Sequence, residues 1–230
     1  MKILAFDAST HWLSVACGDG VAWSTRAEHA GEGSSERLLP LIDAVLREAG
    51  LELRDLDGIA FGAGPGSFTG VRIACGVAQG LALGAARMLV PVSTLEALAE
   101  AAWRDHGASR VVPSLDARMR EVYIAAYERV GDRWQERRAP AVLHPESAEI
   151  PDVHGWSGAG DGFAAYPALA GMLQLSTADA DAKPDARAIG SLALPRLAAG
   201  DSVTASAARP LYVRHRVALT TAERAAGLRM

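Results

Sequence analysis

Apolar and polar residues follow one another along the first hundred residues in a pattern that predicts three strands and then alternating helices and strands. Short apolar or alternating runs between polar turns indicate strands, and apolar residues spaced three and four apart indicate helices. The expected strands are residues 3–8, 13–17, 21–26, 58–61 and 88–92, and the expected helices are residues 35–49, 68–83 and 93–104. This order, βββαβαβα, indicates an α/β fold.

Capping residues mark the ends of these helices. Ser34 or Ser35 is expected to cap the first helix, and Gly50 is expected to close it. Ser93 and Glu96 have the spacing of a capping box, which predicts that the third helix begins there.

A second apolar run ending in aspartate follows at residue 110. Strands are expected at residues 110–115 and 121–127, and LDARMREVYIAAY (residues 115–127) aligns with FDASTHWLSVACG (residues 6–18). Asp116 then corresponds to Asp7. Such a match indicates a duplicated domain, and the alternative is a chance similarity between two short segments.

Composition and charge indicate an ordinary folded protein. Half of the 230 residues are hydrophobic and 22% are charged, which excludes a disordered chain. The net charge of −4 does not indicate a strongly basic surface for binding nucleic acid.

Residues 162–178 form the longest uncharged stretch, and proline and glycine interrupt it, so no membrane span is expected. The apolar run at the N-terminus is too short for a signal peptide. Cys17 and Cys75 lack metal-ligand spacing, and we expect buried, reduced thiols in a cytoplasmic protein.

The polar residues Asp7, Ser9 and Thr10 lie between the first two expected strands. In such a turn, amides and hydroxyl groups can face a phosphate, and a carboxylate can hold metal-bound water. These residues are therefore candidates for nucleotide or phosphate binding. The alternative is a polar hairpin turn in which Asp7 accepts hydrogen bonds from nearby amides.

A glycine-rich segment, GAGPGSFTGVRI (residues 62–73), leads into the second expected helix. Glycines before a helix leave amides free for an anion, but the Gly-Lys-Ser/Thr sequence of a Walker A loop does not follow. Phosphate binding is one interpretation. The other is a structural loop, in which Gly64, Pro65 and Gly66 set a tight turn and Ser67 caps the helix.

Several longer motifs together resemble one protein family. They are ILAFDAST (residues 3–10), SSERLLPLI (34–42), GPGSFTGVRI (64–73), GVAQGLALG (76–84), PVSTLEALA (91–99), DARMREVY (116–123) and RPLYVRH (209–215). In this order they resemble the bacterial TsaB (YeaZ) family. The resemblance implies an actin-like ATPase (ASKHA, ribonuclease H-like) fold of two related halves, the second reduced. Its first domain would be residues 1–105, on which residues 205–230 pack back, and its second residues 106–204.

The same resemblance implies a function without catalysis by this chain. TsaB-family proteins pair with the TsaD transferase and activate it in the synthesis of threonylcarbamoyladenosine, next to the tRNA anticodon, and the TsaE ATPase joins them. The implied partners are TsaD-type and TsaE-type proteins, a second copy when the chain is alone, and tRNA only through the complex. No intrinsic cofactor is implied, and ATP or ADP is a candidate ligand of the complex.

The residues of the first helix agree with a missing active site. TsaD-like proteins carry a His-x-x-x-His metal pair there, whereas the nearest histidine in this chain, His29, stands alone. The corresponding stretch offers Ser34, Ser35, Arg37 and Leu39. Because none of these is a good iron or zinc ligand, we expect no metal site and no catalytic residue. The alternative to a non-catalytic subunit is an autonomous actin-fold ATPase or small-molecule kinase.

Glycines spaced four apart in the second helix indicate a partner interface. Gly76, Gly80 and Gly84 each cost a helix interior about 0.5 to 1 kcal/mol relative to alanine, unless Gly84 is a C-cap. That cost suggests a compensating close contact with another helix. The residues expected at the interface are Leu38, Leu39, Ile42, Val45, Leu46, Gly76, Val77 and Gly80. The alternative is that this face packs on the protein's own sheet.

Overall fold

Two five-stranded mixed sheets with helices on their faces form the protein. The computed structural model describes residues 1–151 and 154–214. The strands are β1 Ile3–Asp7, β2 Trp12–Gly18, β3 Trp23–His29, β4 Gly58–Gly64, β5 Met88–Ser93, β6 Arg110–Asp116, β7 Val122–Val130, β8 Arg133–Leu143, β9 Ser157–Ala159 and β10 Thr177–Asp179. The helices are α1 Ser34–Ala49, α2 Phe68–Ala85, α3 Thr94–His106, α4 Gly162–Ala165, α5 Leu169–Met172 and α6 Ala186–Ala198. The α/β class and the order βββαβαβα from β1 to α3 are confirmed.

The two sheets have the same connectivity. Their strand orders are β3-β2-β1-β4-β5 and β10-β9-β6-β7-β8, each an antiparallel meander followed by two parallel strands. Asp7 ends β1 and Asp116 ends β6, so the two aspartates hold equivalent positions, as the alignment predicted. The second half is smaller, because β9 and β10 have three residues each and α4 and α5 have four.

The first sheet is covered on both faces. Leu4 and Phe6 of β1 pack with α1 and α2, whereas Ile3 and Ala5 pack with α3 and α6. All four side chains are fully buried. The two-residue period of a strand therefore sends neighbouring side chains into two separate cores.

Helix α3 lies between the two sheets. Ala97 packs towards the first sheet, and Leu98 packs towards the second. Glu100 accepts hydrogen bonds from Arg129 Nη1 at 2.9 Å and from Trp134 Nε1 at 2.7 Å. The helix thus connects the halves through apolar contacts and one nearly buried ion pair.

The ends of β3 and α1 differ from prediction. β3 begins at Trp23, because the Asp19 carboxylate accepts hydrogen bonds from two later amides and holds that segment in a turn. Gly33 is the N-cap of α1, so neither Ser34 nor its neighbour caps the helix through a side chain. Gly50 closes α1 in the left-handed conformation, as predicted, with φ of 64°.

The predicted start of α3 is confirmed, but its predicted capping box and the suggested C-cap role of Gly84 are wrong. Ser93 is the N-cap of α3, but its side chain makes no capping hydrogen bond. The Glu96 carboxylate accepts a hydrogen bond from Arg196 of α6 instead of closing a capping box. Gly84 lies inside α2, whose C-cap is Ala86 with φ of 51°. Gly84 therefore does not escape the helical cost of glycine.

Later parts of the chain return to the first sheet. Ile189 of α6 packs in one cluster with Ile3, and Val203 forms an isolated antiparallel bridge with Leu89. The division of the chain into two domains stays a prediction. Residues 215–230, for which packing on the first half was predicted, lie outside the described residues.

Candidate functional site

The turn between β1 and β2 holds a buried hydrogen-bond network. Ser9 donates to Asp7 Oδ1 from its backbone amide and from Oγ, both at 2.7 Å. Thr94 Oγ1 lies 3.3 Å from Asp7 Oδ2 and 3.1 Å from Ser9 Oγ. None of the three side chains is exposed. The carboxylate oxygens of Asp7 are therefore engaged by the protein's own donors, and nucleotide binding by Asp7 stays a prediction.

Burial sets the protonation behaviour of Asp7. Removal of water raises the pKa of its carboxyl group above the ordinary value of 3.8, and the hydrogen bonds from Ser9 and Thr94 oppose this rise without cancelling it. A negative charge at this position is consequently less stable than in water.

The glycine-rich segment packs directly on this turn. A Cβ atom on Gly62 would lie 1.8 Å from Asp7 Oδ2. One on Gly66 would lie 2.3 Å from Ser9 O, and one on Gly70 would lie 2.0 Å from another carbonyl oxygen of the turn. Because no Cβ fits at these distances, Gly66 and Gly70 allow close approach to the backbone of the turn, and Gly62 allows close approach to the Asp7 carboxylate.

The centre of the same segment has a strongly constrained backbone. Gly64 has φ of 107°, and the Gly64–Pro65 peptide bond is cis. Ser67 is the N-cap of α2, and its Oγ accepts a hydrogen bond from Gly70 N at 3.4 Å. The Ser67 amide donates to Ser9 O at 2.6 Å. This amide, at the start of α2, is thus already used within the protein.

The equivalent turn of the second half, between β6 and β7, has three consecutive left-handed residues. Arg118, Met119 and Arg120 have φ of 61°, 52° and 61°. Each such residue costs roughly 1–2 kcal/mol, so neighbouring contacts must hold the turn. Asp116 accepts from the Arg118 amide at 2.9 Å, and His144 Nδ1 lies 3.0 Å from Arg120 O. Sequence reasoning missed this conformation because the turn contains no glycine.

The two equivalent turns contact each other. Arg118 Nη2 lies 2.9 Å from His11 Nε2, and because arginine is a donor without an acceptor, the histidine nitrogen accepts. Asp161 Oδ1 accepts from the Asp116 amide at 2.9 Å. Burial raises the pKa of Asp161, and the nearby Asp116 carboxylate adds to the rise.

A cavity of about 370 Å³ lies between the turns. Ser9 and Thr10 line it, whereas Asp7 lies buried behind them, so the three predicted phosphate-binding residues do not face the cavity together. Phe68 and Tyr212 also line it, with ring centroids 6.4 Å apart.

The outward face of α2 from residue 76 to residue 85 is apolar and open, whereas Thr69 and Arg72 are exposed nearer the start of the helix. Gly76, Gly80 and Gly84 are exposed, and a Cβ atom added at any of them would meet no atom within 4 Å. Leu83 is 78% exposed, and Val77 is half-buried. The alternative of packing on the protein's own sheet is therefore wrong for these three glycines.

Helix α2 is apolar on its inner face as well. Among the helices of the described residues, it alone has the length and composition to cross a membrane, a test that core helices of soluble proteins also pass. Ala74, Ala78 and Ala82 lie buried in the first core, and a third of the helix is buried. One apolar face thus packs on the sheet, and a second faces outward.

Helix α1 presents fewer of its predicted interface residues. Leu38 and Val45 are fully buried in the core, and Ile42 and Leu46 are 3% and 8% exposed. Leu39 is 50% exposed. Apolar spacing had identified the inward face of the helix. Ile42, Leu46 and Leu39 line a groove of about 450 Å³ that α2 also borders.

The prediction that His29 stands alone is wrong, because it lies beside a second histidine. The β2–β3 register pairs Trp12 with His29, and the rings of His11 and His29 stack with centroids 6.1 Å apart. Within residues 1–151 and 154–214, no group of three or more His, Cys, Asp or Glu side chains is arranged to hold a metal ion.

Comparison with known proteins gives consistent matches over most of the chain. A family model described as TsaD, tRNA N6-adenosine threonylcarbamoyltransferase, matches residues 26–218. The tRNA threonylcarbamoyladenosine biosynthesis protein TsaB of Escherichia coli (strain K12) is 39% identical over 223 residues, or 95% of this chain and 96% of that protein. Its namesake from Haemophilus influenzae is 37% identical over 227 residues, or 94% of this chain and 95% of that protein.

A solved structure gives the same result. YeaZ from Pseudomonas aeruginosa superposes with a TM-score of 0.85 at 39% sequence identity, and the match covers 92% of this chain and 99% of that one. With such identity over nearly the whole length of its relatives, this chain belongs to the TsaB (YeaZ) family.

Proposed function

We propose that this chain is a non-catalytic subunit in the synthesis of threonylcarbamoyladenosine on tRNA, and that it pairs with a TsaD-type transferase and activates it. The observation that carries the proposal is the outward face of α2. Apolar surface left in water costs roughly 25 cal/mol per Å², and glycines let another helix approach closely. Gly76 and Gly80 together with Leu83 therefore form a surface suited to a partner helix.

The match to the TsaD family model favours a homologous partner. A TsaD-type protein with the same fold would have its own counterparts of α1 and α2, and the two helix pairs would meet across a pseudo-twofold axis. Leu39 at the groove and Leu83 on α2 would lose their exposure on pairing. A second copy of this chain would use the same face when no partner is present.

The rest of the proposed complex follows from the family. A TsaE-type ATPase would join the pair in the cytoplasm, ATP or ADP would bind in the complex, and tRNA would be reached through the complex. The actin-like fold would here serve as a scaffold. Asp7, with its oxygens engaged, and Ser9 and Thr10 form the place where a nucleotide contact by this chain would be sought.

The residues at the position of the transferase's metal pair support a non-catalytic role. Ser34 is buried, Leu39 is apolar, and Arg37 forms an ion pair with Glu28, with Nε 2.6 Å from Oε1. An arginine held by a carboxylate is not a metal ligand. We therefore propose that threonylcarbamoyl transfer depends on the partner's residues.

Co-expression with candidate TsaD-type and TsaE-type proteins tests this function. We expect the chain to elute with the TsaD-type protein in size-exclusion chromatography, the TsaE-type protein to join when ATP is added, and tRNA modification to require the mixture. The isolated chain should neither modify tRNA nor hydrolyse ATP appreciably. Transfer by the isolated chain at the rate of the mixture would contradict the proposal, and ATP turnover or kinase activity by it would favour the autonomous enzyme.

A further inference from the structure

Residues 203–214, which we call the strap, begin on the first half of the molecule. Val203 and Leu89 exchange two backbone hydrogen bonds of 2.8 Å each. Ala208 is buried in the first core, and its carbonyl oxygen accepts a hydrogen bond from Gln79 Nε2 at 3.2 Å. The strap is therefore attached to β5 and to the side of α2.

The middle of the strap follows the loop before α2. The Leu211 amide donates to Ala63 O at 2.7 Å, at the end of β4. The Tyr212 hydroxyl accepts from Arg72 Nε at 2.9 Å. Leu211 and Tyr212 both line the cavity between the turns. The strap therefore reaches the cavity wall while it is still attached to the first half.

The end of the strap lies on the second half. Val213 packs against the core between α3 and the second sheet. Arg214 donates from Nη2 to Ala117 O at 3.0 Å and to the Glu121 carboxylate, and its side chain is 12% exposed. A nearly buried guanidinium with both a carbonyl and a carboxylate partner is a strong anchor, because charge-assisted hydrogen bonds are stronger than neutral ones.

We propose that the strap is a clamp that fixes the two halves relative to each other. It connects β4, β5 and α2 at one end to the β6–β7 turn at the other. The contact between Arg118 and His11 crosses the same gap. The outward face of α2 and the second half are thereby held as one preformed surface. This proposal concerns the isolated chain and does not depend on the identity of a partner.

A clamp predicts reciprocal effects across the gap, because two sites coupled through one element each respond to a change at the other. Hydrogen exchange measured by mass spectrometry on the full chain detects them. Arg214→Gln should accelerate exchange about tenfold or more at residues 117–121 and also at the Leu211 amide in the strap, since charge-assisted hydrogen bonds are lost. Gln79→Ala changes a residue of the first half only and removes the hydrogen bond to Ala208 O of the strap. It should nevertheless accelerate exchange at residues 117–121 about threefold or more.

Two references separate clamping from general destabilisation. Arg133→Gln changes an exposed arginine at the start of β8 and should leave both segments at the wild-type rate. The amides of β1 should keep their protection in every variant. If Arg214→Gln accelerates exchange at residues 117–121 alone, or if Gln79→Ala leaves those residues unchanged, the strap is a local attachment and the clamp is wrong.

Discussion

Helices α2 and α3 are both rich in small apolar residues, yet they occupy opposite environments. Eight of the 13 residues of α3 are buried, because sheets lie on two of its sides. Only six of the 18 residues of α2 are buried, and Ile73, Val77 and Leu81 are half-buried against the first core. Leu83 and the three glycines spaced four apart face outward. The difference shows that α3 uses its apolar residues to hold the fold, whereas α2 carries more of them than the fold requires. The excess on α2 is the physical basis for proposing a partner.

The largest expected difference in stability between the two helices comes from the same leucine-to-alanine substitution made in each. Leu98→Ala, in α3, should lower the free energy of unfolding by about 2–5 kcal/mol, because it leaves a cavity between the sheets. Leu83→Ala, on the exposed face of α2, should change it by about 0.5 kcal/mol or less but weaken pairing. Urea denaturation of the monomeric variants measures the two free energies of unfolding, and calorimetric titration with the TsaD-type partner measures pairing. Equal losses would show that Leu83 belongs to the fold.

Glycine-to-alanine substitutions should separate open from filled helix positions. Gly76→Ala and Gly80→Ala should each raise the free energy of unfolding by about 0.5–1 kcal/mol, because both positions are open and alanine favours a helix. Gly190→Ala in α6 is the matched control. Its Cβ atom would lie 2.3 Å from the Trp23 ring, so this variant should be destabilised. Thermal melting at a protein concentration at which the chain is monomeric measures all three, and a loss of stability at Gly76 or Gly80 would place these residues in an internal contact.

The beginning of α3 provides a smaller, pH-dependent test. Thr94, its first residue, contacts Asp7, whose pKa is raised by burial. Because the folded state binds this proton more tightly than the unfolded chain, the stabilisation is present below the ordinary value of 3.8 and is lost as pH rises through the raised pKa.

Asp7→Asn removes this titration. The stability of the variant relative to wild type should therefore increase over the pH range above the ordinary value of 3.8. Melting temperatures across that range measure the difference. A constant difference would show that burial of the Asp7 charge has no net cost.

The order of elements was predictable from sequence, but the surroundings of each helix were not. Apolar spacing placed six residues of α1 on one face, because one helix face must be apolar to be covered. Four of them are buried, whereas Leu39 is exposed and Ala49 is half-buried; the six are Leu38, Leu39, Ile42, Val45, Leu46 and Ala49. The same spacing cannot distinguish a sheet from a partner as the cover. The structure places Leu38 and Val45 inside and leaves Leu39 at the surface. The exposed glycines of α2 were identified because their helical cost needs a separate explanation.

Contacts between distant residues explain the remaining differences. The stacking of His11 on His29 depends on strand register, and the left-handed turn at Arg118 depends on Asp116 and on neighbours far along the chain. The local sequence shows neither the strand register nor the contact of the turn with His144. The aligned aspartates were predictable, by contrast, because the two halves repeat the same strand and turn.

Binding of the TsaD-type partner to a Gly80→Leu variant tests the central claim most directly. A leucine at this open position should prevent close approach, abolishing both pairing and self-association, while circular dichroism and the melting temperature of the monomer stay near wild type. Gly171→Leu, at another open glycine in α5, should pair as wild type does. Isothermal titration calorimetry with the purified partner gives the dissociation constants. Wild-type affinity of the Gly80→Leu variant would remove α2 from the interface and contradict the account.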